Sequence, residues 1–241
     1  MTTTPGARRL LTGLAVAAAT VLLTATQASA ATPGFYFLHP ATPAAFQVLR
    51  TGNLVHGSVD DALFGLTTSG SGPARLPFPL RVYDRTYRTA VVSSNGVVEL
   101  GVTPAGATAD PADECLPSRD FGRAAVLPYW DDLLFVHGRT VAGAPEGVFL
   151  RTAGTAPHRT FLVSWQGQEK APGTPAVLAQ VLFREGSPTI TFGYGLPGGG
   201  SATVGVQSER QLTTTQLNCN AGTTIVQPAT SMTFVLHRDG P

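Results

Sequence analysis

The chain has 241 residues, enough for one good-sized domain and tight for two unrelated ones. Charged residues make up only 13%, while 27 Gly and 19 Pro punctuate the backbone, which excludes coiled coils, helical bundles and a charge-rich disordered chain. Lys and Arg together number 16 against 15 Asp and Glu, a balance that leaves no overall basic footprint for nucleic acid.

Residues 1–30 carry Arg8-Arg9, an apolar run from Leu10 to Leu23, and the small triplet Ala28-Ser29-Ala30, the pattern of a secretory signal peptide cut after residue 30. The run is shorter than the roughly 20 residues of a spanning helix, so a signal is expected and not an anchor. The arginine pair leaves twin-arginine export open beside the general route. No second apolar stretch and no hydrophobic tail follow, so the mature chain is expected to be secreted, extracellular and without a membrane span.

Residues 31–59 read as an N-terminal extension, in which Thr42 and Pro43 resemble an N-cap and first-turn proline ahead of a short helix reaching Leu49. From residue 60 to 241 the sequence alternates at period two. Phe161, Val163 and Trp165 share one strand face; Ile190, Phe192 and Tyr194, and then Met232, Phe234 and Leu236, repeat the pattern. Further strands are expected over 80–83, 87–92, 97–100, 124–134, 148–152, 176–185 and 202–207, about ten in all, with loops over 102–122 and 196–201. Short strands at this spacing predict an all-β, mostly antiparallel β-sandwich. Asn95-Gly96 predicts a type I′ hairpin, and Pro77 and Pro79 place their segment at a sheet edge.

Cys115 and Cys219 are the only cysteines, and in an exported chain they are expected to form a disulfide. Closing a 104-residue loop stabilises by up to about 4.7 kcal/mol in the chain-entropy model. Neither cysteine lies in a metal or redox motif.

Catalytic signatures are not found. Gly193-Tyr194-Gly195-Leu196-Pro197-Gly198 spells a dinucleotide motif, but Pro197 and the glycines after it cannot open the helix that motif needs. The only lysine, Lys170, has no phosphate-loop glycines before it. His39, His56, His137, His158 and His237 stand singly, in settings that suit solvated surface residues. Asp131 and Asp132, after Trp130, are the most suggestive carboxylates. Strand neighbours point to opposite faces, so they do not make a glycosidase pair. At a strand end they could cap a loop, bind calcium or take part in catalysis, and Asp60-Asp61 is a weaker case of the same kind. No catalytic or cofactor-binding residue is therefore assigned, and calcium is the one cofactor left open.

Asp60-Asp61, Leu76-Pro77-Phe78, Val82-Tyr83, Tyr87, Ser94-Asn95-Gly96-Val97 and Leu100-Gly101 follow the order of the opening half of a nidogen-like extracellular domain. The stretch from Ala125 through Trp130-Asp131-Asp132 to Leu133 resembles that family's aromatic-aspartate strand, and Arg159-Thr160-Phe161-Leu162-Val163-Ser164-Trp165 its next strand. Residues 181–186 with 190–194 resemble the family's following hairpin, and 202–207 is similar to the strand that bacterial members place next. The resemblance implies a β-rich module of secreted and cell-surface proteins without known catalytic residues. The expected function is a non-catalytic binding module whose partner is an extracellular protein or glycan. A secreted hydrolase with an unassigned carboxylate or histidine site and a subunit that self-assembles at a sheet edge are the competing readings.

Overall fold

The computed structural model describes residues 1–2, 34–50, 59–65, 75–170, 175–221 and 227–237. The expected signal peptide, beyond its first two residues, and His56 lie outside them. All described strands belong to the unit from residue 32 onward.

Among the described residues, two seven-stranded sheets pack face to face. The first holds β1 (Phe35–Pro43), β7 (Leu133–Leu134), β10 (Gly147–Ala153), β11 (Thr160–Glu169), β12 (Ala176–Arg184), β13 (Ile190–Pro197) and β16 (Thr230–His237). Its order is β1-β16-β13-β12-β11-β10, with β7 on β11. The second holds β2 (Leu63–Gly65), β3 (Arg75–Val82), β4 (Arg85–Ser93), β5 (Val98–Leu100), β6 (Ala124–Trp130), β14 (Thr203–Gln207) and β15 (Thr214–Asn218). Its order is β15-β14-β6-β5-β4-β2, with β3 also on β4. A small ribbon pairs β8 (Thr140–Val141) with β9 (Ala144–Pro145). Every pairing is antiparallel, so the chain is the all-β sandwich its alternation predicts.

Period two decides which residues fill the space between the sheets. Phe161, Val163 and Trp165 of β11 face Phe183, Val181 and Ala179 of β12 in register and lie in the main core with Phe192 and Phe234. Burying each large apolar side chain contributes about 2 kcal/mol. Trp165, fully buried, also donates its indole N–H to the carbonyl of Ser93 at 2.8 Å, which ties the two sheets together.

The outer faces are covered as well. The loop 102–122, irregular except for one 3-10 turn at Pro104–Gly106, lays Phe121 and Leu116 over Val97, Ala125, Leu127 and Trp130. Cys115 in this loop is bridged to Cys219 beyond β15, with the two Cα atoms 5.2 Å apart.

Local expectations need correction in several places. Residues 44–50 hold no helix. Leu49 packs on the outer face of the first sheet with Phe149 and Leu162, its N–H bonded to Oε1 of Gln166 at 2.9 Å and its carbonyl to Nε2 at 3.0 Å. That amide supplies the partners a helix would otherwise give the Leu49 backbone. Upstream of residue 60, β1 is already an edge of the first sheet, paired with β16. The strand expected over 124–134 breaks at Asp131 and Asp132 into β6 and β7, and β13 runs to Pro197, inside the expected loop.

Candidate functional site at the acidic end of the sandwich

The loop Ser94-Asn95-Gly96 joins β4 to β5, with the Ser93 N–H bonded to the Val97 carbonyl at 2.8 Å. Of these three residues only Gly96 has a positive φ, at 77°. The hairpin is therefore a three-residue loop ending in a left-handed glycine, and the type I′ turn expected from Asn-Gly is not formed. The reason is that Asn95, fully buried, works as a strut. Its Nδ2 donates to Asp61 Oδ1 at 2.9 Å and to the Ala109 carbonyl at 2.7 Å, while its Oδ1 accepts from the Leu133 N–H at 3.2 Å. One side chain thus holds together Asp61, the covering loop and the start of β7.

The two adjacent aspartates beyond β6 part company. Asp131 is nearly buried; its Oδ1 accepts from the Asp132 N–H at 2.8 Å and its Oδ2 from the Ser201 hydroxyl at 2.6 Å. Burial pushes its carboxyl up to about 6, with Glu169 and Asp113 adding to the shift and the two donors opposing it. Asp132 turns instead toward Asp60 and Asp61, and one carboxylate oxygen from each of the three lies within 4.8 Å of the others. Lys170 Nζ sits 2.8 Å from Asp60 Oδ2 and 3.7 Å from Asp132 Oδ2. Nearby, Glu169 Oε1 accepts from the Tyr129 hydroxyl and from the Gly199 N–H, both at 2.6 Å. Burial first, and then this carboxylate, push the Tyr129 phenol well above its usual range.

Asp60, Asp61 and Asp132 are the residues that would hold a hard cation, which takes six to eight oxygen ligands when it is calcium. An ammonium already bridges two of those carboxylates. Asp131 belongs to the hydroxyl and turn contacts and not to this trio. The described histidines His39, His137, His158 and His237 are exposed on separate strands and loops, and the Gly193–Gly198 motif runs along β13 and past its end, opening no helix.

Three participants escaped sequence reasoning. The Asn-Gly pair signals only the backbone of Asn95, and Lys170 and Ser201 carry no local motif. Glu99 is a fourth residue of interest, although it stands between apolar neighbours in β5 where alternation suggests a solvent face. It is 1% exposed because the covering loop lies over it; its Oε1 accepts from the Thr108 N–H at 2.6 Å, while its Oε2 has no hydrogen-bond partner among the described residues. Burial pushes this carboxyl up to about 7, with the Asp120 charge adding to the shift.

The family model described as NIDO related matches residues 36–238, from within β1 to one residue past β16, so its two ends are the two strands that pair at one margin of the first sheet. No curated protein and no solved structure matches the chain.

Proposed function

The chain belongs to the NIDO-related family, and from that premise we propose that it is secreted and works as an interaction module of the extracellular space, without catalysis. The observation that carries the reading is how the acidic end uses its polar groups. Asp61 holds Asn95, Asp131 accepts from Ser201 and its own turn, and Glu169 accepts from Tyr129 and Gly199. A catalytic acid or base needs a reacting atom within hydrogen-bond reach, and these oxygens already have protein donors at 2.6–2.9 Å. The leader pattern and the Cys115–Cys219 bridge support an oxidising address outside the cytoplasm.

Pull-down of cell-envelope and extracellular components with the purified protein tests the proposal, beside a screen of esterase, protease and glycosidase substrates. A retained partner and no turnover are expected. Turnover that survives repurification and disappears in Asp131→Asn would replace the module with a hydrolase.

A further inference from the structure

The near balance of charge hides a segregation along the strands. Arg159 stands just before β11 and Glu169 at its end; Arg88 lies in β4 and Asn95 just beyond it, about 23 Å along an extended chain. Arg88 and Arg159, with Arg75 across the ladder beside Arg88, therefore lie away from the carboxylates around Asn95. Lys170 is the only lysine, so every cation at that far end is a guanidinium, the group best shaped to grip oxyanions with two donors.

The ladder between β3 and β4 supplies a cavity there. Arg75 pairs with Thr89 and Leu80 with Tyr87, so the four residues Leu76–Pro79 bulge opposite the single Arg88. The space left open is about 320 Å³, lined by Arg75, Arg88 and Arg159 together with Pro77, Phe78 and Pro79, and none of the described residues lining it is acidic. Arg159 is committed to holding the bulge. Its Nε and Nη2 bind Glu185 at 2.8 and 2.5 Å, its Nη1 donates to the Pro77 carbonyl at 2.7 Å, and its guanidinium lies 5.5 Å from the centre of the Phe78 ring. Arg75 and Arg88 are exposed, and neither forms an ion pair among the described residues.

We propose that this bulge cavity binds a sulfated or uronate-bearing extracellular glycan, with Arg75 and Arg88 gripping its oxyanions and Pro77 and Pro79 forming an apolar wall for a sugar ring. The proposal rests on the interaction-module reading and names its ligand class. An acidic peptide fits less well. A peptide gains affinity at a sheet edge by adding a strand, and here Pro77 and Pro79 lack N–H groups and the ladder is broken by the bulge. Side chains must therefore do the reading, and a cavity at the small end of ligand sites suits one charged unit of a polymer.

Calorimetric titration of the protein with a sulfated, uronate-containing hexasaccharide tests this, beside the same sugar stripped of both charged groups and an octaglutamate peptide. Binding of the charged sugar alone is expected, weakening as salt rises. Arg75→Ala and Arg88→Ala should each weaken it about tenfold, with Arg88→Lys between wild type and Arg88→Ala. Unchanged melting temperatures will show that these variants fold. Absence of binding, equal binding of the peptide, or undiminished binding by the Arg75→Ala/Arg88→Ala variant overturns the proposal. If that double variant still retains a partner in the pull-down, the glycan assignment falls and the module reading stands.

Discussion

The two ends of the sandwich solve the same problem in opposite ways. At the acidic end the carboxylates are tied to neighbours within the fold: Asp131, Glu169 and Asp61 accept bonds from Ser201, Tyr129 and Asn95, and Lys170 reaches across to Asp60 and Asp132. At the basic end two acids are held by guanidiniums. Glu209, 8% exposed, is held by Arg85 and Arg123, and Glu185 by Arg159, while Arg75 and Arg88 face solvent beside an open cavity. Closing a polar network fixes three separate segments in place; leaving guanidiniums open keeps donors available to an outside anion. The difference teaches that the module's rigid end and its receptive end need not coincide.

Gly96 gives the largest test of that contrast. Its φ of 77° is strained for any side chain, and a Cβ there would come within 1.7 Å of the Tyr129 carbonyl oxygen. Because this contact is with backbone, no rotamer relieves it, and Gly96→Ala should cost about 4 kcal/mol or more, a fall of about 10 °C in melting temperature. At the other end Arg88→Ala should stay within about 0.5 kcal/mol of wild type. Denaturant and thermal melts of both variants decide this, and a Gly96→Ala protein as stable as Arg88→Ala would remove the idea of one rigid end.

The sheets were legible and the struts were not, for a physical reason. Alternation is a local signal, so Phe161, Val163 and Trp165 announce their facing wherever the partner strand comes from. Edge strands that alternate weakly give no such signal: β1 carries Pro40 and Pro43, and β15 is Thr-Thr-Gln-Leu-Asn. Asn95 bonds residues 14, 34 and 38 positions away, and no dipeptide rule contains those partners. Aspartate neighbours were expected to point apart, and Asp131 and Asp132 do have different partners. The company Asp132 keeps, Asp60 and Asp61, is set by the docking of a distant segment on Ser94, whose hydroxyl accepts from the Ala62 N–H at 2.8 Å.

Acidity should also tell the two ends apart. Glu99, which anchors the covering loop just before its contacts with Asn95 and Trp130, is pushed by burial from 4.5 to about 7, and Asp131 from 3.8 to about 6. A raised carboxyl means that the folded state keeps a proton the unfolded chain has lost. The stability these groups contribute is therefore complete below about pH 4 and is lost as pH rises through about 6 to 7. Glu185 has the opposite sign: Arg159 holds it at about 2, below its ordinary 4.5, so its contribution is present above pH 4.5 and lost as pH falls toward 2. Between pH 5 and 8 only the first trend operates. Wild type should lose stability across that window, and Glu99→Gln should be more stable than wild type at pH 8 by on the order of 2 kcal/mol, while matching it near pH 5. Denaturant midpoints at the two pH values measure this, and an equally steep decline in Glu99→Gln would mean that another group titrates.

The smallest effect concerns Lys170, and it decides what kind of cation closes the acidic end. Its ammonium lies between Asp60 and Asp132, and all three side chains are between 35% and 40% exposed, so water and salt screen the contacts. Exposed pairs of this sort contribute about 0 to 1 kcal/mol, and Lys170→Ala should cost no more than that. If the ammonium is the resident cation, calcium has to displace it before gaining the three carboxylates. A free calcium site with a dissociation constant of about 1 mM would add about 1.4 kcal/mol at 10 mM calcium, a rise of roughly 3 to 5 °C for a domain of this size. Wild type should therefore show no such rise, whereas Lys170→Ala, with its carboxylates released, should show part of it. A calcium-dependent rise in wild type that vanishes in Asp132→Ala reverses the assignment, making the trio a metal site and Lys170 a bystander. The basic end supplies the control, since Arg88→Ala must leave the calcium response where it was.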